Sequence, residues 1–337
     1  MLTPRQNLLE TIRGGHPDRF VKQYEFMAMP YSDPYSMTNP QPYFPGDDDK
    51  IDFWGVKWSW PANVPGMFPV HTPGNKVIPD IDEWEGDLRI APLDYPDEMW
   101  EEARKDYAQF DRKEVFVGPI MFPGLFEMTH CLMGMDDALM GFYSEPEKMH
   151  EIIEAYCEWE MAYVRLLAEN LHPDIVLHHD DWGSSTSTFM SPDMFREFYL
   201  EPYKKLYKCY KDNGFALIVH HSDSFAATLV PTMIEMGIDI WQGATVKNDI
   251  PALVKQYGGK ISFLTGIEAA DVDHEGWTRE EIRSAVRTAC NACGNKYFIP
   301  CQTAGGPQSV YEGVYDAIDQ EIDSLNRELF PQTFAAE

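Results

Sequence analysis

Positive charge is scarce in this sequence. Its 337 residues include 27 lysine and arginine residues against 55 aspartate and glutamate residues, which gives a formal net charge of -28 at pH 7. Recognition of nucleic-acid phosphates needs clustered lysine and arginine side chains. The composition therefore argues against a nucleic-acid-binding protein and predicts a solvated acidic surface.

Long apolar runs and abundant cysteines are also missing. No stretch approaches the roughly 20 apolar residues of a membrane helix, and the first residues lack the apolar core of a signal peptide. We therefore expect a cytoplasmic protein with no membrane partner. In that compartment the six cysteines predict free thiols rather than disulfides. Cys290 and Cys293 have CxxC spacing, but no second pair matches them, which favours a structural role.

The sequence lacks the glycine-rich turns that bind dinucleotides and phosphates, since neither GxGxxG nor a P-loop occurs. Short apolar strand patterns alternate instead with amphipathic helix patterns. This alternation favours a (β/α)8 TIM barrel, an α/β fold, over a doubly wound sheet. We predict one TIM-barrel domain over residues 1–337 with an N-terminal helical and irregular extension.

The expected elements follow from hydrophobic periodicity and from capping residues. The strands are predicted at 21–27, 114–118, 174–178, 216–220, 238–242, 261–265 and 296–300. The helices are predicted at 5–13, 135–143, 146–170, from 191 onward, 226–236, 249–257, 278–292 and 307–329. The segment at about 30–96 is rich in Pro, Gly, Asp and aromatic residues, which predicts an irregular insertion. Within it, the alternating pattern at 51–60 predicts a strand or hairpin. Such an insertion is either a lid over a pocket or plain packing of its tryptophans.

Side chains that can bind a metal follow two of the predicted strands. The run at 216–220 continues into His221 and Asp223, and the run at 296–300 continues into Cys301. The carboxyl ends of parallel strands meet on one rim of a barrel. An imidazole, a carboxylate and a thiolate are acceptable zinc ligands, and three ligands leave one position open. The sequence predicts a zinc site at these residues; the alternative is a buried apolar thiol and a hydrogen-bonded loop histidine.

A second cluster, His-His-Asp-Asp at 178–181, ends the strand at 174–178. Successive strand side chains point to opposite faces, so one histidine and one aspartate should point inward. Asp181 is a candidate for orienting a substrate or for protonating a leaving group, with His179 beside it. The alternative for Asp181 is a helix or turn cap near Gly183.

Further candidates surround the same predicted rim. Glu268 follows the strand at 261–265 and is a candidate catalytic carboxylate. Gly305 and Gly306 are predicted cofactor-binding residues, because their amides precede the last helix, where an anion can bind. A loop that needs glycine for its backbone angles has the same sequence. Glu25, in the predicted first strand, is a reserve ligand together with Glu268.

These residues belong to a longer pattern that resembles the uroporphyrinogen decarboxylase superfamily over about 118–328. The matching segments are Asp180-Asp181-Trp182-Gly183, Ser191-Pro192, Phe195-Arg196-Glu197-Phe198-Tyr199-Leu200-Glu201-Pro202, His221-Ser222-Asp223, Gly237-Ile238-Asp239, Tyr257-Gly258-Gly259-Lys260 and Gly266-Ile267-Glu268. Within the superfamily, the chain looks most like the branch of corrinoid-dependent methyltransferases and their anaerobic relatives.

In the methylcobamide:coenzyme M methyltransferases of this family, a His-x-Cys motif and a later cysteine bind zinc. The resemblance carries these positions onto His221, Asp223 and Cys301. Asp223 in place of a thiolate makes such a site harder and less electron-rich. This departure favours Lewis-acid activation of an oxygen-bearing methyl donor over activation of a thiol. Ser224 also departs from the usual glycine.

The resemblance implies a zinc-dependent methyltransferase that acts between a small O-methyl or N-methyl compound, or a thiol, and a corrinoid on a partner protein. Asp181 and His179 would position the donor or supply a proton. The insertion would close the pocket against water. Family members are often monomers or dimers, so a homodimer agrees with the resemblance.

Two other functions stay open. Genuine uroporphyrinogen decarboxylases carry an arginine-rich N-terminal segment for the carboxylates of their substrate, whereas the segment at 30–40 contains no arginine. Decarboxylation of a tetrapyrrole or of a small acid is therefore the second candidate. The third is a noncatalytic protein that binds a cobamide or another small molecule.

Overall fold

The structure is a computed structural model and describes residues 1–62, 64 and 66–335. Its strands are β1 (Met27–Ala28), β2 (Lys50–Ile51), β3 (Lys57–Ser59), β4 (Phe68–Pro69), β5 (Phe116–Val117), β6 (Ile120–Met121), β7 (Ile175–His179), β8 (Leu217–His221), β9 (Ile240–Gln242), β10 (Ser262–Ile267) and β11 (Phe298–Gln302). All strands except β2, β3 and β4 pair in parallel.

The helices lie between and before these strands. They are α1 (Pro4–Arg13), α2 (Pro34–Thr38), α3 (Trp84–Asp87), α4 (Asp97–Tyr107), α5 (Leu125–Met133), α6 (Met135–Ser144), α7 (Pro146–Leu171), α8 (Pro192–Phe195), α9 (Glu201–Asp212), α10 (Val230–Met236), α11 (Ile250–Tyr257), α12 (Ala269–Val272), α13 (Arg279–Cys293) and α14 (Val314–Leu329). Throughout the described residues, every helix is too short or too polar to cross a membrane.

The parallel strands form the wall of an α/β TIM barrel, as predicted. Strands β6 to β11 pair in chain order, and β1 pairs with β5. The amide of Gln23 donates to the carbonyl of Pro300 at 3.2 Å, which ties the chain before β1 to β11. Between β5 and β6, a Cβ on Gly118 would lie 1.6 Å from the carbonyl oxygen of Ile175, so only glycine permits this close approach.

Strand register places the histidines of two neighbouring strands side by side. His178 pairs with His220, and His179 pairs with His221. Every residue of β8 is buried, in agreement with a parallel strand that is covered on both faces. Because side chains alternate, His179 and His221 share the inner face, whereas His178 and His220 face the outer helices.

Local capping explains several helix starts that the sequence predicts. Thr3 and Thr278 each form a capping box, and the Ser191 side chain accepts from the amide of Met194. A π-helical turn, Arg196–Leu200, continues α8 into α9. These caps agree with the predicted starts of α1, α13 and α8.

Two predicted elements differ from the structure. Most of the predicted strand 21–27 forms turns, in which Glu25 donates its amide to the carbonyl of Lys22, and only Met27–Ala28 is a strand. The last helix begins at Val314 rather than at 307, because the preceding chain is held as a loop. Asp273 accepts the amides of two residues in this loop at 2.7 and 2.8 Å. Helices α4 and α5 were not predicted.

The insertion at about 30–96 is folded against the barrel. Strands β2, β3 and β4 form an antiparallel sheet, which extends the predicted hairpin. Trp54 is completely buried, with its ring 5.0 Å from the rings of Tyr156 and Trp159 on α7. Trp58 is also buried and packs on Phe122, at the mouth of the barrel. Trp54 and Trp58 are thus packing residues, and the insertion also reaches the mouth.

Candidate metal centre

The carboxyl ends of β7 and β8 bring three potential metal ligands together. The rings of His179 and His221 lie 4.3 Å apart between centroids. Asp181 follows β7, and its Oδ1 lies 3.8 Å from His221 Nε2. One ligand atom from each of these three residues lies within 4.8 Å of the other two. Two imidazoles and a carboxylate at this spacing are a donor set that zinc accepts.

Both imidazoles are oriented by hydrogen bonds at Nδ1. Glu127 on α5 places Oε2 2.9 Å from His179 Nδ1, and Gln242 at the end of β9 places Oε1 against His221 Nδ1. Since carboxylate and amide oxygens accept hydrogen bonds, each Nδ1 carries a proton. When each ring is neutral, Nε2 is therefore the free ligand atom. Partners of this kind typically accompany metal-binding histidines.

Glycines leave space beside His221. A Cβ on Gly305 would lie 3.1 Å from Nε2, and a Cβ on Gly243 would lie 2.8 Å from Nδ1. A side chain at position 305 would therefore fill the space next to the nitrogen that faces Asp181. The open space and the donor set both fit a bound divalent cation.

The two histidines have opposite pKa shifts. Burial lowers the pKa of His179, but the negative charges of Glu127, Asp181 and Asp223 outweigh it and raise the pKa to about 10. Burial, followed by the nearby His179, lowers the pKa of His221 to about 4. With a pKa of about 10, His179 is protonated on both ring nitrogens at neutral pH, and a cation would have to displace the proton on Nε2.

Two more carboxyl groups lie at the mouth. The amide of Asp223 donates to Asp181 Oδ1 at 2.9 Å. Although Asp223 is an exposed residue, its carboxyl lies within the mouth, where lost hydration and then the charge of Asp181 raise its pKa to about 7. Glu268 accepts the amide of Val246 at 3.1 Å and the hydroxyl of Thr303 at 3.2 Å. Asp223 and Glu268 therefore belong to the same acidic mouth as the cluster.

Cys301 lies outside the three-residue cluster. It is fully buried in the barrel interior, and its thiol contacts Gln23 Oε1 at 3.9 Å. Burial raises the pKa of Cys301 well above its usual value, so the thiol keeps its proton. Gln242 interacts with both Cys301 and His221. The set His221, Asp223 and Cys301 stays a prediction, of which the structure brings His221 into the cluster.

Other predicted positions have different surroundings. The amide of Gly306 donates to the hydroxyl of Tyr24 at 2.9 Å, and neither Gly305 nor Gly306 adjoins the start of α14. Their role in cofactor binding stays a prediction, without the helix start that suggested it. Glu25 accepts the amide of Lys22 and lies 4.0 Å from Arg19, so its partners are cations rather than the cluster.

Asp180 has a structural role that differs from that of its neighbour Asp181. It is fully buried and accepts the amides of Phe126 and Glu127 at 3.0 and 2.7 Å, which caps the first turn of α5. The side chains of Trp182 and Tyr203 also donate to it. Asp180 thereby fixes the helix that carries Glu127.

Sequence reasoning missed Glu127 and Gln242, the two partners of the histidines. Gln242 was identifiable as a polar residue at the end of the predicted strand 238–242, at the same kind of position as His221. Glu127 had a weaker signal, because α5 itself was not predicted. The mouth is completed on the insertion side by Phe122, whose ring lies edge-on to His179 at 5.0 Å.

The fold and the site define a class: an α/β barrel with a candidate metal centre at the carboxyl ends of its strands. The sequence pattern of the family described as uroporphyrinogen decarboxylase (URO-D) matches residues 124–298. The chain belongs to this family, as the sequence motifs predict. The matched region contains the whole cluster together with Glu127 and Gln242.

Two relatives come from Methanosarcina mazei. One is named methylated-thiol–coenzyme M methyltransferase and is 25% identical over 255 residues, which are 73% of this chain. The chain spans 64% of the length of that relative. A solved structure described as a methyltransferase matches 96% of this chain and 99% of its own, with a TM-score of 0.65 and 14% identity. The second comparison supports the fold alone, and the first relative agrees with the methyltransferase branch of the family.

Proposed function

We propose that this protein is a metal-dependent methyltransferase that moves a methyl group between a small methylated compound and a corrinoid on a partner protein. The observation that carries the proposal is the convergence of His179, Asp181 and His221, with both imidazoles oriented through Nδ1. The relative named as a methyltransferase supports the same reaction class, and it matches the chain within the same family.

Zinc would be held by His179 Nε2, His221 Nε2 and an oxygen of Asp181. When bound there, the cation would supply Lewis-acid activation of the heteroatom attached to the methyl group. The absence of a thiolate from this cluster favours oxygen or nitrogen compounds as donors. The predicted set with Asp223 and Cys301 is the competing ligand assignment.

Residues around the cluster would position groups and move protons. Glu127 and Gln242 hold the two rings. Asp223, with its pKa raised to about 7, carries a proton in a substantial part of the population at neutral pH. It can therefore protonate a departing oxygen or nitrogen, while Glu268 stands beside it as a further carboxylate.

The insertion would exclude water from this chemistry. Trp58 packs on Phe122, and Phe122 packs against His179, so an apolar wall connects the insertion with the cluster. The reduced corrinoid, which is the nucleophile of the proposed reaction, would come with the partner protein. A single domain, a cytoplasmic location, anaerobic metabolism and a homodimer stay predictions.

Decarboxylation of a polyanionic tetrapyrrole is the weaker alternative. The groups with the largest electrostatic effects on His179 and Asp223 include Glu127, Asp181 and Glu268, all of which are acids. A substrate with many carboxylates needs arginine side chains, which pair with carboxylates through two hydrogen bonds. The acidic mouth therefore favours methyl transfer.

Metal analysis of purified variants tests the proposed ligands. We expect about one zinc ion per chain in the wild type, as in a mononuclear site, and at least tenfold less in His221→Ala and Asp181→Ala. Cys301→Ala should keep its metal, and the exposed His16→Ala is the matched control. Loss of metal in Cys301→Ala but not in Asp181→Ala would support the competing ligand set. Equal metal content in all variants would refute both assignments.

Methyl transfer is tested separately under anaerobic reducing conditions. The zinc-loaded protein is mixed with free cob(I)alamin and a panel of methyl ethers, methylamines and methyl thioethers, and methylcobalamin formation is followed by absorbance. We expect a rate that depends on metal and falls in His221→Ala. Metal binding without methylation of cob(I)alamin by any class of donor would count against the methyltransferase.

A further inference from the structure

Four carboxyl groups lie at the end of the barrel that holds the two inward histidines. Asp181 belongs to the cluster, and Glu127 is bonded to His179. The amide of Asp223 is bonded to Asp181, which holds these two acidic residues together. Glu268 lies close enough to Asp223 to interact with its charge. Even with a proton on Asp223, the other three carboxylates carry more negative charge than one divalent cation neutralises.

No lysine or arginine is among the strongest electrostatic partners of His179, His221 or Asp223, each of which is a described residue. Lys76 lies near His71 on the insertion side, but it forms an ion pair with Asp137. This cation is therefore already matched by a carboxylate. Binding an anion in the mouth would bring it towards uncompensated negative charge.

Permanently cationic groups are also not expected to bind to a metal at this site. His221 is almost completely buried, and its Nε2 lies 3.8 Å from Asp181, beyond hydrogen-bond distance. This nitrogen is available for a metal, and a ligand of that metal needs a lone pair. A quaternary ammonium group has none. The apolar ring of Phe122 beside His179 suits an uncharged substituent instead.

We propose that this site accepts uncharged methyl compounds and uncharged thiols, and discriminates against those that bear a sulfonate, phosphate or carboxylate. Asp181, Asp223 and Glu268 are the specificity-determining residues. The inference rests on the proposed metal site, and it deepens that proposal by naming the substrate class. It also separates this protein from a methyltransferase that uses coenzyme M, which is the anion 2-mercaptoethanesulfonate.

A matched pair of thiols tests the inference without turnover. The protein is loaded with Co²⁺ and titrated with 2-mercaptoethanol and with 2-mercaptoethanesulfonate at low ionic strength, while the sulfur-to-cobalt charge-transfer band is recorded. We expect the uncharged thiol to bind at least tenfold more tightly. Added salt should reduce the difference in affinity between the two thiols, because it screens the charges of the carboxylates.

Charge variants locate the source of the selectivity. Glu268→Gln and Asp223→Asn should each reduce the ratio of the affinities for the two thiols. Glu268→Lys should reduce this ratio most. Glu275→Gln, an exposed site on the α12–α13 connection, is the matched control and should leave the ratio unchanged. Equal binding of both thiols by the wild type, or a ratio that no mouth variant changes, would overturn the inference.

Failure of the metal site gives a different result from failure of selectivity. If Co²⁺ does not bind, the proposed metal role fails, and selectivity is then measured by calorimetry with methoxybenzene and 4-methoxybenzoate on the metal-free protein. Preferential binding of methoxybenzene would support the discrimination against anions, which depends on the carboxyl groups, while the binding of thiols to the metal would be refuted. Equal binding, or binding of neither compound, would refute the discrimination as well.

Discussion

At the scale of single residues, each inward histidine depends on a partner from another element. His221 uses Gln242 on β9, and His179 uses Glu127 on α5. The sequence motifs identify the histidines, because a histidine at the end of an apolar run is conspicuous. They do not identify the partners, because the hydrogen bonds join positions 21 and 52 residues apart.

We predict that Gln242→Leu weakens metal binding by about 10- to 100-fold, as losses of such partners typically do. Leucine cannot accept a hydrogen bond from His221 Nδ1, so the ring loses the interaction that leaves Nε2 as its free ligand atom. The measurement is a competitive zinc titration with a chromophoric chelator. The exposed Gln308→Leu is the control. Wild-type affinity in a folded Gln242→Leu protein would contradict the proposed geometry.

Asp52 is a second residue whose environment only the structure shows. It is buried in the insertion, where it accepts the amide of Val56 and the indole N–H of Trp58, each at 2.8 Å. Burial raises the pKa of Asp52 to about 6, although these hydrogen bonds act in the opposite direction. The protonated form is therefore favoured more strongly in the folded protein than in the unfolded chain.

This shift predicts that the contribution of Asp52 to stability falls as pH rises. Between pH about 4 and 6 the folded state binds more protons than the unfolded state, so the free energy of unfolding decreases through this window and then levels off. The free energy of unfolding should fall by on the order of 2 kcal/mol because of this residue. Urea unfolding at pH 4.5 and 7.5 should show wild type losing more stability than Asp52→Asn. An identical pH dependence in both proteins would disprove the assignment.

At the scale of elements, the strands were easier to predict than the insertion. The strand predicted at 216–220 lies within one residue of β8, because a strand buried on both faces is a continuous apolar run. The insertion has weak periodicity, since its short elements bury individual tryptophans against α7 rather than a regular face. Its packing therefore depends on contacts with distant parts of the chain.

We predict that Trp54→Ala destabilises the protein by about 3–5 kcal/mol, the usual cost of truncating a buried large aromatic side chain. The ring packs edge-on against Tyr156 and Trp159 and donates its N–H to the hydroxyl of Tyr35, so truncation leaves a cavity and removes one hydrogen bond. Chemical denaturation measures the loss. Tyr143→Ala, at a side chain that is 78% exposed, is the control and should change stability little. A loss of stability in Trp54→Ala as small as that in Tyr143→Ala would show that the insertion does not stabilise the barrel.

At the scale of the whole molecule, the excess of acidic residues has a local consequence. Composition alone argues against nucleic-acid binding, but it does not specify which carboxyl groups gather at the barrel mouth. The fold brings Glu127, Asp181, Asp223 and Glu268 there from α5 and from the chain following β7, β8 and β10. The proposed selectivity against anions depends on this arrangement rather than on net charge.

Strand periodicity and local motifs lie within short segments, so the barrel class, the family and the candidates His179, Asp181 and His221 could be predicted from them. That these three residues form one group, while Cys301 lies in the barrel interior, is visible only in the folded chain. Ligand geometry depends on how far each side chain lies along its strand and on strand register. Both are set by packing between segments far apart in the chain.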